Sequence, residues 1–187
     1  LNANIYYMQY NNQLVLTGAL DDVGEYLREN VDESYRLGIE LDATLFLSNQ
    51  FSLNSNLAAS RNKIKNLKID RDGSLQDLGD TNIAFSPDLI TTHALEYVPN
   101  SKFRAALIGK YVGEQYMSNT DTEASKLDSY FVTDINFSYS LPFKTVFKSV
   151  VFTGMVNNLL DLEYEDRGFT YLDTWSGPTA SEVQGYY

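Results

Sequence analysis

Apolar and polar residues alternate along residues 35–47, and this pattern is the most regular in the chain. Every odd position is apolar or aromatic, whereas the even positions include Arg36, Glu40 and Asp42. A period of two indicates a β-strand with one apolar and one polar face. The alternation covers 13 positions, but strands in soluble proteins usually have only about 5 or 6 residues. A strand of this length suits a membrane barrel, in which lipid lies on one side of the wall and a polar lumen on the other.

Six further segments show a weaker alternation of the same kind. The connections between them alternate between long and short, as in antiparallel hairpins with tight turns on one rim and long loops on the other. The seven predicted strands are residues 3–16, 35–47, 51–64, 89–98, 103–116, 130–141 and 150–164. The predicted long loops are residues 17–34, 65–87, 117–129 and 165–187. We therefore predict an all-β fold, a segment of an antiparallel up-and-down transmembrane β-barrel.

The polar faces of these strands would look into the lumen of the barrel. In residues 3–16, Tyr6 and Met8 share one face, while Ile5 and Tyr7 lie on the other, wetter one. At the start of residues 150–164 both faces of the predicted strand carry apolar side chains, so the alternation does not show which face points outward. The side chains that we expect to face the lumen and contact a plug or a ligand are Arg36, Glu40, Asp42, Lys110, Asp134 and Asn136.

Composition agrees with a barrel wall and excludes some functions. The chain has 187 residues, 43% of them hydrophobic, which fits a barrel because every second residue faces water. The 14 Tyr and 10 Phe favour strands and can form belts at the lipid headgroups. A net charge of -11 argues against a nucleic-acid partner, and without cysteine there is no disulfide or thiolate chemistry. Because the chain shows neither a signal peptide nor an initial Met, we expect it to be an excerpt or a processed piece.

Three features suggest reactive sites, but each has a simpler interpretation. His93 is the only histidine, so no histidine pair can bind a metal. The aspartates of residues 70–80 suggest a calcium loop, but the glycine falls too early for the helix-loop-helix pattern, and a solvated loop is favoured. The carboxylates of residues 161–166 would form a wet rim at a strand end. We predict no catalytic residue, metal site or cofactor.

A motif lies at the end of the last predicted strand. Residues 156–164 read Val-Asn-Asn-Leu-Leu-Asp-Leu-Glu-Tyr, which resembles the Asn-Leu-Phe-Asp-x-x-Tyr signature near the C-terminus of TonB-dependent outer-membrane receptors. Leu160 stands where that family usually has an aromatic residue. Three more stretches resemble the same family, in the same order: residues 4–16, residues 34–40, and residues 110–116 before residues 127–130. The signature positions are Asn157, Asn158, Leu159, Asp161 and Tyr164.

The resemblance implies that residues 1–187 are the C-terminal portion of such a receptor's β-barrel domain, in the bacterial outer membrane. In this family a barrel of 22 strands surrounds an N-terminal plug, and we expect the plug, the energy-coupling box and the final strand to lie outside this sequence. The implied partners are outer-membrane lipid, the receptor's own plug and remaining barrel, and the TonB energy-coupling protein, which acts through the N-terminal part. The implied ligand is a scarce small molecule or glycan, such as an iron-siderophore, a cobalamin or an oligosaccharide.

Two other function classes are compatible with the alternation alone. A soluble β-sandwich carbohydrate-binding module would bury one strand face against a second sheet. An outer-membrane barrel enzyme is weakened because His93 has no Gly-x-Ser-x-Gly partner motif. Near the end of the chain, Phe169, Tyr171 and Trp175 could stack on a sugar or a chelate ring, but headgroup anchoring and loop packing explain them equally well.

Overall fold

One large antiparallel sheet dominates the computed structural model, which describes residues 1–20, 23–71, 74–142, 149–172 and 182–186. A short 3-10 helix occupies Glu123–Ser125. No helix in these ranges is both long enough and apolar enough to cross a membrane. The strands are β1 (Asn2–Leu20), β2 (Tyr26–Phe46), β3 (Phe51–Arg71), β4 (Ser74–Asn82), β5 (Leu89–Asn100), β6 (Phe103–Val112), β7 (Gln115–Tyr116), β8 (Lys126–Leu127), β9 (Tyr130–Pro142), β10 (Ser149–Val156), β11 (Gly168–Leu172) and β12 (Glu182–Tyr186).

Seven strands follow one another across the large sheet in the order β1, β2, β3, β5, β6, β9 and β10. All neighbouring pairs are antiparallel. The predicted series of seven antiparallel strands is therefore confirmed. Within the described ranges β1 and β10 form the two edges of the sheet. Because backbone groups in a bilayer must be paired, this sheet needs further strands to close before it can span a membrane.

The prediction that residues 17–34 and 65–87 are loops is wrong. β1 and β2 stay paired as far as Leu20 and Tyr26. β4 pairs with the half of β3 that lies away from the short turns, here called the upper half, from Lys63 opposite Asn82 onward. These extensions enclose a small hydrophobic core of their own. Its buried members are Val15, Val31, Ile64, Leu67, Ile69 and Ile83. The two long connections are thus paired strands that continue the sheet beyond its regular part.

The C-terminal third also departs from the predicted boundaries. The last strand of the large sheet, β10, ends at Val156 rather than at residue 164, and β6 ends at Val112 before the short β7. The 117–129 connection contains the 3-10 helix and β8. The predicted loop of residues 165–187 instead contains a hairpin, in which β11 pairs with β12.

Strand pairing decides which residues share a face, because directly opposite residues in an antiparallel pair lie on the same side. Ile5 pairs with Ile39, and Tyr7 pairs with Leu37. The apolar face of β1 is therefore the one that carries Ile5 and Tyr7, and assigning them to the wetter face was wrong. For β10 the pairing resolves an ambiguity, since Phe152 lies opposite Tyr139 on the apolar face.

The apolar face of the sheet is exposed rather than covered. Leu45 is 53% exposed and Phe137 46% exposed. A soluble sandwich would bury such side chains against a second sheet, so the exposed face does not fit that alternative. Toward the short turns, aromatic rings follow one another across four strands. Their centroids are 4.6 Å apart for Phe51 and Tyr97, 6.3 Å for Tyr97 and Phe103, and 6.5 Å for Phe103 and Tyr139.

Candidate functional site

The six residues predicted to face the lumen lie on one face of the sheet, opposite the exposed apolar face. Arg36, Glu40 and Asp42 occupy alternate positions of β2. The register continues from Asp42 through Asn56 and Thr92 to Lys110. Asp134 and Asn136 pair with Ile108 and Ala106, which lie on the same face of β6 as Lys110. That this polar face lines a lumen and contacts a plug or a ligand stays a prediction.

Side-chain amides on neighbouring strands hold the carboxylates of this polar face. Asn4 Nδ2 donates a hydrogen bond of 3.1 Å to Glu40 Oε2, and Asn56 Nδ2 donates one to Asp42 Oδ1. Both carboxylates are exposed. Since an ionised carboxylate has about four acceptor sites, each keeps capacity for a further donor. Glu40 and Asp42 are thus positioned by their own sheet and remain open to a partner.

The side chains of Lys110 and Asn136 have no hydrogen-bond partner among the described residues, whereas the Asp134 carboxylate already accepts a hydrogen bond. Lys110 is exposed and makes no hydrogen bond or ion pair within the described part of the chain, and Asn136 is half-buried. Asp134 Oδ1 accepts a hydrogen bond of 2.8 Å from the backbone N–H of Asn158. Asp134 therefore has a structural role that alternation alone did not indicate.

Arg36 marks the upper end of the polar face, where the connections begin. Its Nη1 donates hydrogen bonds of 3.1 Å to Asn62 Oδ1 and to Ser86 Oγ. Asn62 is buried, and its backbone carbonyl accepts a hydrogen bond of 3.1 Å from the N–H of Ile83. The guanidinium thus ties β2 to the connection that precedes β5. This polar network makes the upper rim a defined surface rather than a loose loop.

The 113–129 connection docks onto this rim through two polar residues that sequence reasoning did not single out. Asn119, which is buried, accepts a hydrogen bond of 2.8 Å from the N–H of Ala84 and donates one of 2.9 Å to the carbonyl of Leu16. Asp121 accepts hydrogen bonds of 2.8 and 3.0 Å from the backbone and side chain of Asn82. A polar, turn-prone segment gives no sequence signal for such distant contacts.

A cavity of about 220 Å³ lies where the connections meet the β11–β12 hairpin. Its lining is mainly apolar. The Thr170 hydroxyl is buried at this cavity and has no hydrogen-bond partner among the described residues. The lining residues are Leu16, Gly18, Tyr26, Phe85, Met117, Ser118, Gly168, Phe169 and Thr170. Rings and one free hydroxyl suit contact with part of a small, largely apolar molecule.

The signature motif forms a tight turn directly after β10. Asn158 and Asp161 adopt left-handed backbone conformations, with φ of 49° and 50°, which Asn and Asp tolerate better than most residues. The Asn158 amide closes the turn by donating a hydrogen bond of 2.9 Å to the Leu162 carbonyl and accepting one of 3.1 Å from the Leu162 N–H. Tyr164 then stacks on Tyr130 with ring centroids 4.5 Å apart. The motif anchors the end of β10 to β9.

The remaining suggestive residues have ordinary surroundings where they are described. His93 Nδ1 lies 3.0 Å from Ser55 Oγ on the apolar face, at hydrogen-bond distance. Asp77 and Asp80 accept hydrogen bonds from backbone N–H groups of their own hairpin. The rings of Phe169 and Tyr171 are 6.3 Å apart and nearly parallel. Trp175, Asp72 and Gly73 lie outside the described residues, as do the side chains of Asp70 and Arg71.

Among the described residues, no group of three or more histidine or acidic side chains is arranged to hold a metal ion. The site instead consists of a polar sheet face below a hydrogen-bonded rim. Its chemistry is that of binding and positioning, through amides, carboxylates, cations and aromatic rings.

These features define a class of protein. Long antiparallel strands with an exposed apolar face and a polar face form the wall of a transmembrane β-barrel. Residues 1–159 match the family model described as TonB dependent receptor-like, beta-barrel, and the chain belongs to this family. The predicted family is thereby confirmed. Members of this family are transport receptors rather than enzymes and reside in the outer membrane of Gram-negative bacteria.

Solved structures of receptors and transporters share the fold of this chain. The chain is similar to the siderophore receptor PiuA from Acinetobacter baumannii, with 21% identity and a TM-score of 0.64 over 98% of this chain and 24% of that one. It is also similar to the ferric yersiniabactin uptake receptor FyuA from Yersinia pestis, with 15% identity and a TM-score of 0.65 over 98% and 25%. The copper transporter OprC matches with 20% identity and a TM-score of 0.62 over 87% and 22%.

The chain thus spans about a quarter of the length of the receptors that it matches. No curated protein sequence matches it.

Proposed function

We propose that this chain is a wall segment of an outer-membrane receptor for the TonB-dependent uptake of a scarce nutrient, and that residues 1–187 are the C-terminal portion of its barrel domain. The observation that carries the proposal is the two-faced sheet: Leu37, Ile39 and Leu41 are exposed on one side, and Arg36, Glu40 and Asp42 lie on the other. Lipid would cover the first face, and the plug would contact the second.

In this proposal the rim above the polar face helps to capture the ligand. A metal chelate is the favoured ligand class, since the similar solved structures are described as siderophore, ferric yersiniabactin and copper proteins. The mainly apolar cavity beside Thr170 fits an apolar part of such a chelate better than the many hydroxyls of an oligosaccharide. The coupling protein TonB would act through the N-terminal part of the receptor.

The test uses the whole receptor in its native cells. We expect it to fractionate with the outer membrane and to change its gel mobility on heating, because a closed barrel resists unfolding in detergent. A deletion strain should then lose growth on one ferric or copper chelate and keep growth on free metal salts. A receptor found in the soluble fraction would contradict the wall assignment. Lost growth on an oligosaccharide or cobalamin alone would contradict only the ligand class.

A further inference from the structure

Arg61 is a charged residue on the same face of the sheet as Leu37, Ile39 and Leu41. It pairs directly with Leu37 of β2, and Leu37 pairs in turn with Tyr7 of β1. The next pair toward the short turns, Ile39 with Ala59, is fully apolar. The Arg61 side chain is exposed and forms no ion pair or hydrogen bond with any residue that the structure describes. An unpaired guanidinium at this position calls for an explanation.

The position of Arg61 along β3 gives one. Phe51 begins the same face of the same strand, and its ring stacks on Tyr97 in the aromatic row near the short turns. Ten residues at about 3.3 Å each separate Phe51 from Arg61, or about 33 Å along the strand. With a strand tilt of about 40°, the vertical separation is roughly 25 Å, which is the usual height of the apolar band of an outer-membrane barrel. When the aromatic row lies at one interface, Arg61 lies at the other.

The surroundings of Arg61 are those of an interfacial site. The rings of Tyr7 and Tyr35 stack with centroids 6.2 Å apart, and Lys65 Nζ lies 5.5 Å from the centre of the Tyr35 ring. Tyrosine and long cationic side chains place an apolar body in lipid and a polar tip in the headgroup layer.

Two further cations continue β3 beyond Arg61, but both are near carboxylates. Lys63 Nζ is 3.9 Å from Asp121 Oδ2, and Lys65 Nζ is 3.8 Å from Asp80 Oδ2. Of these three cations, only Arg61 lacks a carboxylate partner among the described residues. It is therefore the one whose charge is available to an anion from outside the chain.

Outer-membrane barrels have short turns on the periplasmic side, so the interface at Arg61, away from the short turns, is the outer one. We propose that Arg61, with Tyr7 and Tyr35, binds the phosphate of a lipid headgroup in the outer leaflet. A planar guanidinium matches two phosphate oxygens at once, and the tyrosine hydroxyls supply further donors. The lipid's acyl chains would then lie along Leu37, Ile39 and Leu41. This inference rests on the proposed function, since it requires the wall to lie in a bilayer.

The test places a reporter beside the site in the whole receptor. Ile39→Cys, in a background without other cysteines, carries a fluorophore, and the receptor is reconstituted in phosphatidylcholine vesicles. Quenching by brominated phosphatidylglycerol is compared with quenching by brominated phosphatidylcholine. We expect a preference for the anionic lipid that falls roughly five-fold in Arg61→Gln, the effect typical of one cation near a membrane surface. Arg61→Lys should keep part of it. Lys110→Gln, an exposed cation on the opposite face, should leave it unchanged.

The outcomes separate this inference from the proposed function. If Arg61→Gln and Lys110→Gln reduce the preference equally, or if neither does, while both brominated lipids still quench the label, the site is overturned and the barrel wall stands. If neither lipid quenches the label, the face is not in lipid, and the wall assignment fails with it. A loss in Arg61→Gln alone supports the site.

Discussion

The backbone N–H of Asn158 donates a 2.8 Å hydrogen bond to Oδ1 of Asp134. This contact fastens the signature turn after β10 to the neighbouring strand, and the 2.6 Å hydrogen bond from the N–H of Leu159 to the carbonyl of Thr133 reinforces it. The motif therefore has a structural role in this chain: it ends the strand and holds its end against β9.

Replacing the carboxylate tests that role. We expect Asp134→Ala to destabilise the barrel by about 1.5–3 kcal/mol, the usual range for losing a hydrogen bond to a charged group. Asp134→Asn keeps an acceptor oxygen and should cost less. The urea concentration at which the folded, heat-modifiable form of the whole receptor disappears measures both. Equal midpoints for Asp134→Ala and the native receptor would contradict the anchoring role.

Two glycine–aromatic contacts across strands give a second prediction. A Cβ at Gly109 would lie 2.8 Å from the Phe131 ring and would meet only that side chain. A Cβ at Gly38 would meet the Tyr6 ring and would also lie 2.9 Å from the backbone carbonyl of Ala59. We expect Gly109→Ala to be destabilising in the native background and nearly neutral in Phe131→Ala, with a coupling of about 0.5–3 kcal/mol. Gly38→Ala should stay destabilising when Tyr6→Ala is added.

Urea midpoints of the four single and two double variants provide the check. Full rescue at Gly38, or none at Gly109, would mean that the rings do not lie over the glycines as described.

The two faces should respond differently to one added charge. Leu57 is on the apolar face of β3 between Phe51 and Arg61, and its neighbour Asn56 is on the polar face opposite Asp42. We expect Leu57→Lys to cost about 2–4 kcal/mol, as found for cations at the bilayer midplane. Asn56→Lys should cost much less, because Lys can pair with Asp42. Folding yields and urea midpoints of the two variants decide this, and equal costs would argue against a lipid-facing side.

The 113–129 connection should loosen at alkaline pH. Glu114 and Glu123 raise the pKa of Lys126, and burial, with Asp121 and Glu114, raises the pKa of Tyr116. A raised pKa means that the folded form holds its proton more tightly. The stability that these groups contribute is therefore complete below their unfolded pKa values of about 10 and is lost as pH rises through the folded values.

Protease cleavage within this connection, normalised to an unstructured peptide, should accordingly rise above about pH 10. In Lys126→Met, which lacks the ion pairs of 3.4 and 3.7 Å to Glu114 and Glu123, cleavage should already be faster at pH 8 and should rise less with pH. Lys102→Met, at a short turn, should behave as the native chain. Identical profiles for Lys126→Met and the native receptor would contradict the ion-pair account.

Alternation predicted the strands well where the two faces differ. In β2 the odd positions are apolar throughout residues 35–47, and the pairing follows that pattern. It failed for β1 because Tyr6 and Tyr7 are both aromatic, so only the pairing of Tyr7 with Leu37 separates the faces. It missed the extensions because register shifts between Leu16 and Leu20 and between Ile64 and Lys68 interrupt the alternation there, and the buried residues of the extensions come together only through strand pairing. The contacts of Asn119 and Asp121 join segments too distant in sequence for any local pattern to show.

The most direct test of the barrel wall is a cysteine scan along β3, from Ser52 to Ala59, in the whole receptor. Each cysteine is probed with a water-soluble thiol reagent and, after labelling with a fluorophore, with brominated phosphatidylcholine. We expect Leu53, Ser55, Leu57 and Ala59 to report lipid, and Ser52, Asn54, Asn56 and Ala58 to report water, in strict alternation. Water access at every position, or the opposite alternation, would contradict the assignment of the apolar face to the bilayer.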